Sequence, residues 1–298
     1  MSLVGFVLAC GHSPAGARST PPDGTPAMAA QDSPSLGCGP EVRGTAALTG
    51  PDSVLLVGEM HGTTQVPELV GRIVCHAANA PKADVILGLE MAIENQPAVD
   101  AYLASDGTEA ARAALLAAPH FASETKDGRS SQAMLQLIAS VRGWRSAGAP
   151  VQILCFDPDP RVATTATERD AAMAKTLTAF HRERPGSTLV TLSGNVHNRT
   201  VPGVPWDETF VPMGAHLREA FPKLVSLDFR SAGGTFWVCM GSPGGESRCG
   251  VTQSEGEDRG SEPFAELHAT RDDNGFDGVL YVGTTTASEP AVPLPPKP

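Results

Sequence analysis

The sequence predicts an α/β fold in which a central, mainly parallel sheet is flanked by helices and a β-rich segment is added toward the C-terminus. Three observations predict it. From Val54 onward, short apolar runs alternate with amphipathic stretches of helical period. Strands alternating with helices form βαβ units with right-handed crossovers, and such units build parallel sheets. Beyond Gly194 the alternation gives way to consecutive β-rich runs.

The strand candidates are Val54–Val57, Val85–Leu89, Val151–Phe156 and Thr188–Leu192. Each is a short apolar run of strand length. Between them, Pro67–Ala80 opens on a proline suited to a first helical turn. Pro97–Leu103 and Thr108–Ala118 read as two further helices. Ser131–Arg145 places Met134, Leu137, Ile138 and Val141 at i, i+3, i+4, i+7, one apolar stripe. Thr167–Arg184 is closed by Pro185-Gly186. A short helix near Gly214–Ala220 precedes two β-rich runs, Leu224–Phe229 and Thr235–Met240, and a last strand, Phe276–Gly283. The expected organisation is a leader and flexible linker over 1–36, one α/β domain over 37–283 and a disordered Pro-rich tail over 284–298.

The formal charge of −11, from 22 basic and 33 acidic residues, is the wrong sign for a phosphate-binding surface, so no nucleic-acid partner is expected. No apolar run approaches the roughly 18 residues that span a bilayer. The six cysteines lack the close pairs of a zinc cluster. Cys239 and Cys249 flank "MGSPGGESR" and are expected to close a hairpin as a disulfide, the alternative being two free thiols. Cys75 and Cys155 lie in apolar segments and are expected to be small core residues. The first ten residues, "MSLVGFVLAC", are apolar and uncharged, and Pro, Gly, Ala and Ser dominate from there to about Ser35. The "VLAC" stretch resembles the lipobox of bacterial lipoproteins, which implies export and a lipid anchor at Cys10, the one expected route to a membrane.

All strand C-termini of a parallel sheet lie along one edge, where such folds bind ligands. The first strand ends in Gly58-Glu59-Met60-His61, the second in Glu90, the third in Asp157 and the fourth in Gly194-Asn195-Val196-His197. Two of these ends share the spelling G-x-x-H. Extended backbone puts residues i and i+2 on one side, so Glu59 is expected to flank His61, and Asn195 to flank His197. Each glycine permits a sharp bend or a close approach. Asp157, in "FDPDP", reads equally as a turn residue. His76 and Glu68 are expected to face solvent, and His216 to be packed or exposed. Ser193 lacks the G-x-S-x-G context of a nucleophile, and Asn198-Arg199-Thr200 spells a glycosylation sequon by chance.

These pieces resemble the superfamily that joins Tiki proteases, TraB/PrgY proteins, haem-binding ChaN lipoproteins and erythromycin esterases. The matching stretches are "GEMHGT" at Gly58–Thr63, Glu90 in "GLEM", "ERDAAMA" at Glu168–Ala174, "GNVH" at Gly194–His197 and "FDGVLYV" at Phe276–Val282. They span nearly the whole expected domain. The resemblance implies a site at the sheet edge built from His61, His197, Glu59, Glu90 and Arg169. It also implies differing chemistries: metal-dependent peptide cleavage for the Tiki type, macrolactone opening for the esterases, haem binding for the ChaN type. "HGT" leans to the esterase spelling and "VLAC" to ChaN, but tyrosine, the expected haem ligand of that type, occurs only at Tyr102 and Tyr281, neither of which follows a matched motif.

The expected function is therefore hydrolysis of an ester or amide in a small-molecule or peptide substrate, with a haem or metal-complex binding protein as the alternative. In one version His61 is the general base, oriented by Glu59 or Glu90, while His197 and Arg169 polarise the carbonyl. In the other, His61, His197, Glu59 and Glu90 hold a divalent metal (manganese, cobalt or zinc) that activates water.

Overall fold

The four apolar runs become four neighbouring strands of one parallel sheet. The structure is a computed structural model that describes residues 36–294, apart from 81–83, 125, 160–162 and 241–247. The elements run β1 (Val54–Glu59), α1 (Gln65–Ala78), β2 (Val85–Ala92), α2 (Gln96–Leu103), α3 (Glu109–Leu116), α4 (Pro119–Ala122), α5 (Gln132–Ser146), β3 (Val151–Asp157), α6 (Ala166–Arg182), β4 (Thr188–Gly194), α7 (Met213–Ala220), β5 (Val225–Arg230), β6 (Gly233–Met240), β7 (Arg248–Glu255), β8 (Phe264–Leu267) and β9 (Gly278–Tyr281). The main sheet has the order β3-β2-β4-β1-β5-β9-β8, with β8 antiparallel at one edge, and β6 and β7 form a separate antiparallel pair. The expected α/β class with a β-rich C-terminal part is what the chain adopts.

The sheet is buried on both faces, which is why its strands read as continuous apolar runs. Leu55 and Val57 of β1 join one core with Val85, Leu87 and Leu89 of β2 beneath α1 and α5. Val54 and Leu56 join the other with Ile86, Leu154, Phe156 and Leu177 beneath α6 and α7. Burying one such side chain contributes about 1.5–3 kcal/mol. The two faces thus hold the strand ends in fixed register.

The proline expected to open the first helix sits two residues deeper, because α1 begins at Gln65. Pro67 is still in the first turn, where a missing N–H costs no hydrogen bond. Two strands escaped the sequence reading. β7 carries Gly250, Gln253 and Glu255 and is half exposed, and β8 has only four residues.

The segment from 284, expected to be disordered, is packed as far as Ala291. Thr64 N–H donates to Thr286 O (2.8 Å), Ala133 N–H to Ser288 Oγ (2.9 Å) and Ala291 N–H to Ser130 O (2.9 Å). The segment satisfies backbone groups at the starts of α1 and α5 that no helix can satisfy internally, and composition alone gives no sign of this. Cys239 and Cys249 are disulfide-bonded across a register pair of β6 and β7, as expected. Cys75 is buried but is not a free core thiol: it is bonded to Cys38, ahead of the first strand. Cys155 is free and buried. No helix among the described residues is long and apolar enough to cross a membrane. Cys10 and the leader lie outside the described residues.

Candidate active site

β1 and β4 are adjacent and parallel, and their register pairs Glu59 with Gly194. Two histidine-bearing ends are thereby delivered side by side. Both glycines of the repeated G-x-x-H spelling stand at crowded positions. A Cβ on Gly58 would lie 3.0 Å from Asn195 Cβ, and one on Gly194 would lie 3.0 Å from His61 Nε2. The register of β2 shifts between Leu89 and Ala92, so an irregularity brackets Glu90 at the strand end. Such irregularities re-aim side chains next to functional sites.

His61 Nδ1 lies 2.7 Å from Glu59 Oε1, the pairing expected of an extended i, i+2 arrangement. The second histidine departs from expectation. β4 ends at Gly194 and the chain turns, with His197 N–H donating to Gly194 O (3.0 Å). Asn195 therefore reaches Asp228 instead (3.3 Å), and His197 Nδ1 lies 2.8 and 2.9 Å from the two oxygens of Asp170 on α6. Asp170 also accepts the Met213 N–H at the start of α7 (2.8 Å). A capping box between Thr165 and Glu168 fixes the first turn of α6, which carries Arg169 and Asp170.

Glu90 is the hub. Its Oε1 accepts from Arg129 Nη1 (2.8 Å) and Arg169 Nη2 (2.9 Å), and its Oε2 accepts the Gly194 N–H (2.8 Å). His61 Nε2 stands 3.4 Å from Oε2, and His197 Nε2 3.7 Å from Oε1. Arg169 also grips Asp157 with two bonds of 2.8 Å, and Arg129 is paired with Asp127 at 2.6 Å. The third contact of Arg169 is informative: its Nη1 lies 3.2 Å from His197 Nε2. A guanidinium only donates, so Nε2 is the acceptor and the ring proton sits on Nδ1, facing Asp170.

Burial would lower the pKa of His61, but the carboxylates of Glu90 and then Glu59 outweigh it and raise the imidazole to about 10. Burial would raise Glu90, but the charge and hydrogen bond of His61, with the charge of Arg129, hold it well below the ordinary carboxylate range. Arg129 and Arg169 are held more firmly protonated than usual: burial opposes this, but Asp127 and Glu90 prevail at the first, and Asp157 and Glu90 at the second. One imidazole is thus a cation between two carboxylates, while the other presents a lone pair.

Every residue expected at the site (His61, Glu59, Glu90, Arg169 and His197) is in this cluster, and Asp157 joins it as an ion-pair partner. Arg129, Asp127 and Asp170 were missed. Asp170 adjoins Arg169 within "ERDAAMA", so a signal was present. Arg129 lies in the loop "KDGRS", where no strand context points to the sheet edge. The other candidates lie elsewhere. His76 bonds Gly39 O, and Glu68 and Arg72 line a groove beside α1. His216 lines a separate concavity with Lys175 and Arg182. Ser193 bonds Asn198 (2.9 Å), and Asn198 is fully buried, so the sequon is no surface acceptor. Tyr102 and Tyr281 are buried, and the Tyr281 hydroxyl donates to Gly260 O.

Beside the cluster, Arg129, Asp157, Thr164, Thr165 and Arg169 line a cavity of ≈ 350 Å³. This is room for a small ligand against both guanidiniums. Among the described residues, no group of three or more His, Cys, Asp and Glu side chains is arranged to hold a metal ion.

No family model and no curated protein matches the sequence. Solved structures do match. A Bacillus cereus protein of known crystal structure superposes with a TM-score of 0.57 at 12% identity, over 82% of this chain and 91% of that one. A histidine-to-asparagine mutant of erythromycin esterase EreC, in its open conformation, superposes with a TM-score of 0.58 at 13% identity, over 78% and 91%. A succinoglycan biosynthesis protein gives 0.53 at 10% identity, over 79% and 88%. At such identities the likeness is one of fold: the chain shares its α/β fold with erythromycin esterase EreC and the two other structures.

Proposed function

We propose that the chain hydrolyses an ester or amide bond by imidazole acid–base catalysis at the β1–β4 edge. One observation carries this reading: each of two histidines, far apart in sequence, is hydrogen-bonded through Nδ1 to its own carboxylate, and both approach Glu90. Paired titratable groups whose surroundings drive their protonation apart supply an acid and a base. His197, oriented by Asp170, takes the proton of the attacking water at Nε2. Water oxygen bonds to the carbonyl carbon, and Arg169, released from His197, joins Arg129 in facing the oxyanion. The imidazolium of His61 then protonates the leaving oxygen or nitrogen as its bond to carbon breaks. This exchanges the roles expected from sequence, in which His61 was the base.

The donor set is a poor fit for a divalent metal. Glu90 already receives two guanidiniums and a backbone N–H, His197 Nε2 faces a third cationic N–H, and His61 is itself charged. A dication placed among Arg129, Arg169 and His61 meets repulsion from each of them. The erythromycin esterase-like fold supports the hydrolase reading, and the two disulfides support export, since such bonds persist in oxidising compartments.

The test is a screen of esters and peptides with purified chain, run with added manganese, with chelator and with haem, followed by a pH profile on the best substrate. Turnover that survives the chelator and falls as pH rises toward 10 is expected, because the acid His61 is then lost. A rate that climbs through that range would return the base role to His61. A Soret band with no turnover on any substrate would favour the haem-binding alternative.

A further inference from the structure

Glu59 and Glu90 stand on strands and Arg169 and Asp170 on α6, but His61 and Arg129 stand on loops. Loops need external support to hold a side chain within the fraction of an ångström that catalysis demands. Both are tied by one residue outside the main sheet. Trp237 of β6 donates its backbone N–H to Gly62 O (2.9 Å), one residue after His61. Its indole Nε1–H donates to Lys126 O (2.7 Å), three residues before Arg129. The two loops also touch directly. A Cβ on Gly128 would come within 2.1 Å of Gly62 N, and a Cβ on Gly62, where φ is +85°, within 2.1 Å of Trp237 O. Three backbones are therefore stacked, with glycine at the two positions where any side chain would force them apart.

The far ends of this arrangement are fixed as well. Lys126 is buried and its ammonium donates to Phe121 O (2.5 Å), while the His120 ring holds Arg129 O (2.9 Å). Two residues beyond Trp237, Cys239 is cross-linked to Cys249 of the facing strand. The β6–β7 pair contributes no side chain to the Glu90 cluster, yet its one indole bridges the loops of an acid and an oxyanion cation.

We infer that Trp237 is a positioning residue, stapling the His61 loop to the Arg129 loop so that both side chains converge on Glu90, with the Cys239–Cys249 bond bracing the strand that carries it. The catalytic part of this assignment rests on the hydrolase reading; the geometric part does not.

Trp237→Phe removes the indole N–H together with part of the ring volume, keeping an aromatic side chain and the backbone bond to Gly62. The full chain carrying ¹⁵N-labelled histidine rings is titrated by NMR, with His61 assigned by its loss in His61→Asn. With the loops loosened, His61 should stand less firmly between Glu90 and Glu59 and give up its proton at lower pH than in the wild type. On any substrate that is turned over, kcat should fall about tenfold with KM little changed, as for a misplaced but present catalytic group. Cys239→Ser/Cys249→Ser should shift the titration in the same direction by less. A folded Trp237→Phe chain whose His61 titrates as in the wild type overturns the staple. Should that variant fail to fold, the cysteine pair decides on the same readout. A wild-type chain without turnover removes the hydrolase reading alone, because the imidazole titration still supports or overturns the staple.

Discussion

The two G-x-x-H ends lie on adjacent strands, begin at glycines in crowded positions, and both point an imidazole at Glu90. They differ in what stands on the other side of each ring. His61 has a carboxylate at both nitrogens, Glu59 at Nδ1 and Glu90 at Nε2. His197 has a carboxylate at Nδ1 and a guanidinium at Nε2. The first arrangement stabilises a cation and the second a neutral ring with a lone pair, so one spelling yields two chemical roles. The role of a motif histidine is set by its partners, and those partners come from other strands and helices.

The largest effect should follow from removing what the two halves share. Glu90→Gln leaves Arg129, Arg169 and His61 without their common counter-charge, and breaking a buried ion pair costs about 3 kcal/mol or more. Activity should fall by about a thousandfold or more, with thermal unfolding reporting the lost stability. A smaller effect is expected from each half alone. Asp170→Asn keeps the shape of its contacts but no longer fixes the His197 proton on Nδ1, and should lower kcat by at least about a hundredfold. Glu59→Gln should lower kcat less, because Glu90 still faces the His61 ring. Equal losses from the two variants would erase the distinction drawn between the histidines.

Much of this was legible in the sequence, and the boundary is physical. The strand ends could be read because a sheet buried on both faces leaves unbroken aliphatic runs, and the residue that breaks each run marks the edge. Glu59, His61, Glu90, Asp157 and His197 were found in this way. Residues that reach the edge from helices and loops leave no such mark. Asp170 is one helical position from Arg169, and its partnership with His197 depends on a turn at Gly194 that the extended-strand reading did not contain. Arg129 enters from a loop held by Trp237 and by the segment around Ser288, both from the far end of the chain. The packing of that C-terminal segment is equally invisible to composition, because it is bound through backbone groups.

A further effect is expected on stability against pH. His61 has a folded pKa near 10 and an unfolded one near 6.5, so its contribution is fully present below about pH 6.5 and is lost as pH rises through about 10. Glu90 has the opposite sign, with stability present above its unfolded value of about 4.5 and lost as pH falls below it. Melting temperature should therefore decline on the alkaline side, and His61→Asn should flatten that decline while leaving the acid limb. A decline of the same slope in His61→Asn would place its origin in other groups.

The opposite protonation of the two rings can be read directly. Ring ¹⁵N chemical shifts of the labelled wild-type chain at pH 7 should show both nitrogens of His61 protonated and His197 protonated at Nδ1 alone. A neutral His61 at that pH, or a fully protonated His197, would contradict the acid and base assignments.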